Sequence, residues 1–232
     1  MIAIAVVIYR TARLPRPLAV PTAAIRGALQ LAAVSLILAV ALTHLWSSFV
    51  VLTVMFVAAA TTCARRTRAG WNAAWLAVAL ATGVGTVVPL MLISGVVPLD
   101  GYAVVPITGI VLGGTMTATT LAARRALDAI DERWGEVEAG LSLGLSTRDA
   151  RMEVAKSAAT DALLPGLDQT RTVGLVTLPG AFVGVLLATG SAAQAGAVQI
   201  LVLVGLLLAQ TCAVTVTLEL ISRKTVRRAA PA

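Results

Sequence analysis

The sequence is short of charge. Asp, Glu, Lys and Arg together make 12% of its 232 residues, about half of what a soluble domain carries. With 58% hydrophobic residues and a mean hydropathy of +0.91, that shortage argues against a water-soluble fold, which could not cover such long apolar runs. No G-x-x-x-x-G-K-[ST] string occurs, so ATP-driven work would need a nucleotide site on another protein. There is one histidine, His44. Even with Asp100 beside it, it falls short of the three or four ligands that iron and zinc sites use, so it reads as an interfacial polar residue and no metal site is assigned. The two cysteines, Cys63 and Cys212, both fall in apolar runs and read as packing residues rather than a disulfide. Gly140-Leu141-Ser142-Leu143-Gly144 spells a nucleophile elbow, but it lacks a preceding strand and a histidine within reach. No catalytic residue is assigned, and an intramembrane enzyme has no constellation to work with. A cleavable signal peptide is also missing, because Arg10 follows the apolar stretch Met1 to Tyr9 instead of preceding it.

What is present is a series of continuous Ala-, Leu- and Val-rich runs without strict alternation. In lipid only helices and closed barrels satisfy their own amides, and this pattern selects helices. The expected spans are Ile25 to Leu45, Trp46 to Ala64, Trp71 to Ile93, Tyr102 to Ala123, Thr172 to Thr189 and about Ala195 to Ile221. Met1 to Tyr9 covers only about 14 Å as a helix, the stub of a first helix that is either short or truncated by a late start. The fold expected is all-α: one transmembrane bundle over 1–232, with six full spans, the stub and a polar insert at 124–171.

All 18 Lys and Arg residues lie in alternate connections or at their edges. The intervening loops, His44 to Ser48, Ser94 to Gly101 and Gly190 to Gln194, hold none. By the positive-inside rule the basic side faces the cytoplasm. The expected topology has the N-terminus outside and the C-terminus inside, in the inner (plasma) membrane. The net charge of +7 therefore marks topology and not nucleic-acid binding.

Within the insert, Trp134, Val137 and Leu141 recur at helical spacing. Gly140 and Gly144 suggest a turn near 144, Ser146-Thr147-Arg148-Asp149 reads as a capping box opening a second helix, and Pro165-Gly166 reads as its end. This helix-turn-helix stands equally as a solvated loop or as a docking element.

Among polar residues inside spans, Gln30, Thr115, Thr117, Thr119, Gln199 and Gln210 are candidates to line a substrate path, although helix–helix contact explains any one of them. Thr115, Thr117 and Thr119, two apart, cannot all share a face. Gly109 and Gly113 form a small-xxx-small pair, Pro89, Pro106 and Pro179 are expected to break or kink spans, and Arg26 and Glu219, near the cytoplasmic ends, are explained by snorkelling or an interfacial ion pair.

Glu138-Ala139, followed by Leu143-Gly144 and Ser146, resembles the E-A-A…G motif of ABC-transporter permeases, with Leu164-Pro165 further downstream than usual. Val105 to Gly109, Leu141 to Gly144, Leu164-Pro165 and Thr172-Val173-Gly174-Leu175-Val176-Thr177-Leu178-Pro179-Gly180 are similar to the bacterial iron-export and plant aluminium-tolerance permease family. The resemblance covers about Arg26 to Lys224. One departure is Gly114, where relatives commonly carry a polar Asn. The resemblance implies a permease homodimer that exports iron or another metal ion. It implies a cytosolic ATPase subunit that carries ATP and Mg, docked on Glu138, Ala139, Leu143, Gly144 and Ser146, while this chain binds no cofactor. The rival is a secondary transporter or channel without an ATPase, for which the chain shows no convincing internal repeat and no intramembrane carboxylate except near Glu219.

Overall fold

Apolar runs in lipid are driven into helices because the helix pairs its own amides. The computed structural model describes residues 1–15, 18–41, 45–67 and 69–228. Arg16, Pro17, His44 and Arg68, used in the sequence reading, lie outside the described residues. Among the described residues every regular element is helical, apart from one isolated bridge between Val173 and Thr177. The chain divides into two units, Met1–Ser48 and Phe49–Ala232.

In the first unit, α1 (Ile2–Thr11) packs on α2 (Ala19–Ala41). At 10 residues, α1 is about 15 Å long, as short as its sequence implied. Helix α3 (Leu45–Thr67) leads into the second unit. A 3-10 turn, Gly70–Trp75, then opens α4 (Leu76–Ile93), followed by α5 (Gly101–Glu132), α6 (Trp134–Ser142), α7 (Thr147–Thr160), α8 (Leu164–Thr172), α9 (Gly180–Thr189) and α10 (Ala192–Ser222). Among the described residues five helices are long and apolar enough to cross a bilayer: α2, α3, α4 with its opening turn, α5 and α10.

Three features differ from the sequence reading. The span expected at Thr172 to Thr189 is not one helix. The chain turns at 173–179, and only the 10-residue α9 follows, because Gly174 takes a left-handed φ of 80° and Pro179 has no N–H to continue a helix from below. Pro165-Gly166 opens α8 instead of ending α7, since the missing N–H of proline is harmless in a first turn. Pro89 and Pro106 stay inside continuous helices.

Helices α4, α5 and α10 form the centre of the second unit. Small residues let them approach closely. A Cβ on Gly83 would come 2.5 Å from the Ala209 carbonyl oxygen, so α4 and α10 nearly touch backbone to backbone there. Of the expected pair, Gly109 meets only the Met55 tip of α3 and Gly113 faces open space. Helix α5 runs past Arg124 and Arg125 to Glu132, so the polar insert begins as an extension of a membrane helix.

Candidate functional site

Helices α6 and α7 form a hairpin at the basic end of the second unit. Its turn is built by Gly144, whose φ of 89° is cheap only for glycine. The Leu145 N–H donates to the Gly140 carbonyl at 3.0 Å, and a Cβ on Gly140 would stand 3.1 Å from the Ala150 Cβ, so a small residue two after Glu138 lets the arms close. Ser146 then caps α7. Its Oγ accepts the Asp149 N–H at 3.1 Å, the Ser146 half of the expected capping box, and donates to the Asp149 carboxylate at 2.6 Å. This hydroxyl first, and the Arg148 guanidinium second, hold the Asp149 carboxyl below its ordinary value.

The hairpin has two unlike walls. On α6 only Val137 and Gly140 are buried. Glu138 and Ala139 midway along α6, and Leu143, Gly144 and Ser146 at the turn, are all exposed. Around them stand uncovered apolar groups: Trp134, Leu141, Leu145 and above all Leu143, 85% exposed. The Trp134 indole N–H donates to the Glu138 carboxylate at 2.8 Å, which fixes both side chains.

Helix α7, by contrast, is fastened to the ends of α5 and α10. It buries Ala150, Val154, Ala155 and Ala159. Arg148 donates Nε and Nη2 to both oxygens of Glu219 on α10, at 2.8 and 2.6 Å, and Arg223 donates to the same carboxylate. The Arg151 side chain, buried to 6% exposure, donates to the Ile221 carbonyl at 3.0 and 3.3 Å. It thereby shares an end-of-helix acceptor with the Lys224 N–H, which reaches the same oxygen at 3.0 Å. Burial pushes the Arg151 guanidinium down from its ordinary value, with Asp131 opposing. Arg125 pairs with Asp161 at 2.8 Å, and Arg228 bridges Asp128 and Asp131 of α5. Of snorkelling and an ion pair, Glu219 shows the ion pair. Arg151 and Arg148 were missed by reading the sequence, although Arg151 falls on the same face as Ala150, Val154 and Ala155.

The motif Thr172, Val173, Gly174, Leu178, Pro179 and Gly180 forms the turn between α8 and α9, closed by the Gly174 N–H on the Thr177 carbonyl at 2.9 Å. The path candidates separate. Gln199 is spent at the start of α9, where its Oε1 accepts the Phe182 N–H at 3.1 Å. Gln210 is wedged between α5 and α8: a Cβ on Gly166 would overlap its Oε1, and one on Gly114 would stand 3.3 Å from its Nε2. That Oε1 is buried without a partner, as are the hydroxyls of Thr108 and Thr119. Thr115 is buried on the same face as Thr119 and bonds back to Val111 at 2.7 Å. Thr117 is exposed and bonds back to Gly113 at 3.0 Å. Gln30 lies on α2 of the first unit, while this cluster is built from the second unit alone. Among the described residues no group of three or more His, Cys, Asp or Glu converges.

Comparison with known proteins agrees with this architecture. The chain is 33% identical over 197 residues to a UPF0014 membrane protein of Synechocystis, covering 80% of this chain and 74% of the relative. It is 29% identical to the protein ALUMINUM SENSITIVE 3 of Arabidopsis thaliana, over 77% of this chain and 66% of that one. It is also 29% identical to the probable iron export permease protein FetB of Escherichia coli, over 54% of this chain and 48% of that one. No solved structure matches. Residues 1–226 match the model of the uncharacterised protein family UPF0014, and the chain, a multi-pass helical membrane protein, belongs to that family.

Proposed function

We propose that the chain is the membrane-spanning permease subunit of an ABC transporter that exports iron or another metal ion, with ATP and Mg bound and hydrolysed on a separate cytosolic subunit. The observation that carries this reading is the pair of unlike walls on the α6–α7 hairpin. One wall offers Leu143, Leu141 and Trp134 to a partner. The other is fastened by Arg148 and Arg151 to the end of α10. A partner that moves the tip would thus move α7, and α7 would carry the ends of α5 and α10 with it. ATP can bias the membrane helices only if the two states differ in these contacts. The separation of basic from uncharged loops supports a cytoplasmic hairpin in the inner membrane. The similarity to a relative named as a probable iron export permease supports the metal. Two chains and two ATPase subunits would make the working transporter. Copurification with an ATPase encoded beside this chain, followed by metal-stimulated ATP turnover in liposomes, tests the reading. A chain that binds no such ATPase, or an ATPase indifferent to iron and other metals, contradicts it.

A further inference from the structure

Helix α8 carries two charged residues, Asp168 and Arg171, and three independent rulers place its start deep in the bilayer. Gly166 sits directly against Gln210 of α10. Gln210 precedes Glu219, the ion-paired residue at the basic end of α10, by nine residues, about 14 Å at the helical rise. Gly114 of α5 packs against the same Gln210 and precedes Arg124 by ten residues, about 15 Å. On α4, Gly83 meets Ala209 and follows Trp75 by eight residues, about 12 Å. The hydrocarbon core is about 30 Å thick, so Gly166 lies near its middle.

Asp168 is two residues further on and helical, so its Cα stays within about 3 Å of that level whichever way α8 points. Arg171, five residues on, stays within about 8 Å. At the other end of the break, Phe182 meets Gln199, eleven residues before Gln210 on α10 and so about 16 Å further from the basic end. Added to the stretch from Glu219 to Gln210, this makes about 30 Å, the full core, so the turn at 173–179 falls between the middle of the membrane and its far face.

Charged groups at such depth face a water-filled path or a partner, and unwound backbone is tolerated there only under the same cover. Here Asp168 and Arg171 touch each other at 3.4 Å, yet their side chains remain 67% and 69% exposed. A broken helix with a carboxylate one turn before the break, beside the carbonyl-rich end of α8, is an arrangement that attracts cations.

We infer that α8 and the 173–179 turn line a water-filled path from the middle of the membrane toward its far face, and that the Asp168 carboxylate contacts the cation passing through it, with Arg171 as its displaceable counter-ion. The cation contact rests on the transport reading, whereas the water-filled path does not. Arg171→Cys in membrane vesicles, treated with a membrane-impermeant maleimide, tests both. Labelling at least tenfold faster than at Leu208→Cys, an exposed position on α10 two residues from Gln210, is expected. Millimolar Mn²⁺ should slow it at least threefold, and adding Asp168→Asn should remove that protection. Asp168→Cys, labelled alongside, guards against misfolding of the first variant. Equal rates at 168, 171 and 208 overturn the path. Fast labelling that Mn²⁺ leaves unchanged overturns the cation contact. Neither readout involves the ATPase, so failure of the permease reading shows separately, as absence of copurification.

Discussion

Helices α6 and α7 are neighbours in sequence and both carry charges, yet they meet their surroundings in opposite ways. Helix α7 spends its polar groups inward: Arg151 on the Ile221 carbonyl, Arg148 on Glu219, and Asp161 next to it on Arg125. Helix α6 keeps its ion pairs to itself, Arg133 with Glu136, and leaves its large apolar groups uncovered. The lesson is that a charged helix beside a membrane span is not by default a solvated face. Where its polar atoms go decides whether it is a strut or a handle. Here a strut and a handle are joined by a single glycine turn.

The comparison can be broken at the strut first. Arg151→Leu removes both guanidinium hydrogen bonds to the Ile221 carbonyl and leaves that oxygen the Lys224 N–H alone; a hydrogen bond to a charged group is worth about 1.5–3 kcal/mol. The thermal midpoint in detergent should fall, and any metal-stimulated turnover with it. An unchanged midpoint would show that α7 is not fastened as described.

The handle should respond differently. Leu143→Asp places a charge where an apolar partner surface is expected. It should weaken ATPase copurification at least tenfold, about 1.4 kcal/mol or more, with the thermal midpoint unmoved. Glu138→Lys and Gly144→Pro should act in the same direction, the latter because proline cannot adopt the positive φ that the turn needs. Undiminished binding in all three variants would remove the handle from the account.

A smaller effect is expected at the joint. Ser146→Ala deletes the cap of α7 and should cost about 1 kcal/mol, visible as faster amide exchange at Asp149 with α10 unaffected. The pH dependence is smaller still. The Asp149 carboxyl is held below its ordinary value when folded, so its contribution is present above the unfolded value near pH 4 and disappears as pH falls through the lower folded value. Asp149→Asn should flatten that part of an acid titration of stability, and an identical acid profile would contradict it.

Much of this was legible in the sequence. The apolar runs announced helices. Gly144 and the Ser146 to Asp149 box announced the hairpin, because each acts through local backbone geometry that sequence records directly. What was hidden depends on distant partners. Pro165 can end or begin a helix, and only the neighbouring α10 decides which. Arg151 looks like any surface arginine until the end of α10 lies over it. The charge rule set Asp168 and Arg171 with the loop residues because it counts charges without measuring depth, and the Gly166–Gln210 contact that measures it lies 44 positions apart in sequence.

Leu143→Cys, labelled with a membrane-impermeant maleimide after subtraction of the native cysteines, reports which side of the membrane the hairpin occupies. Labelling is expected in inside-out vesicles, suppressed when the ATPase subunit is bound, and none in intact cells. Labelling from outside intact cells would contradict a cytoplasmic hairpin.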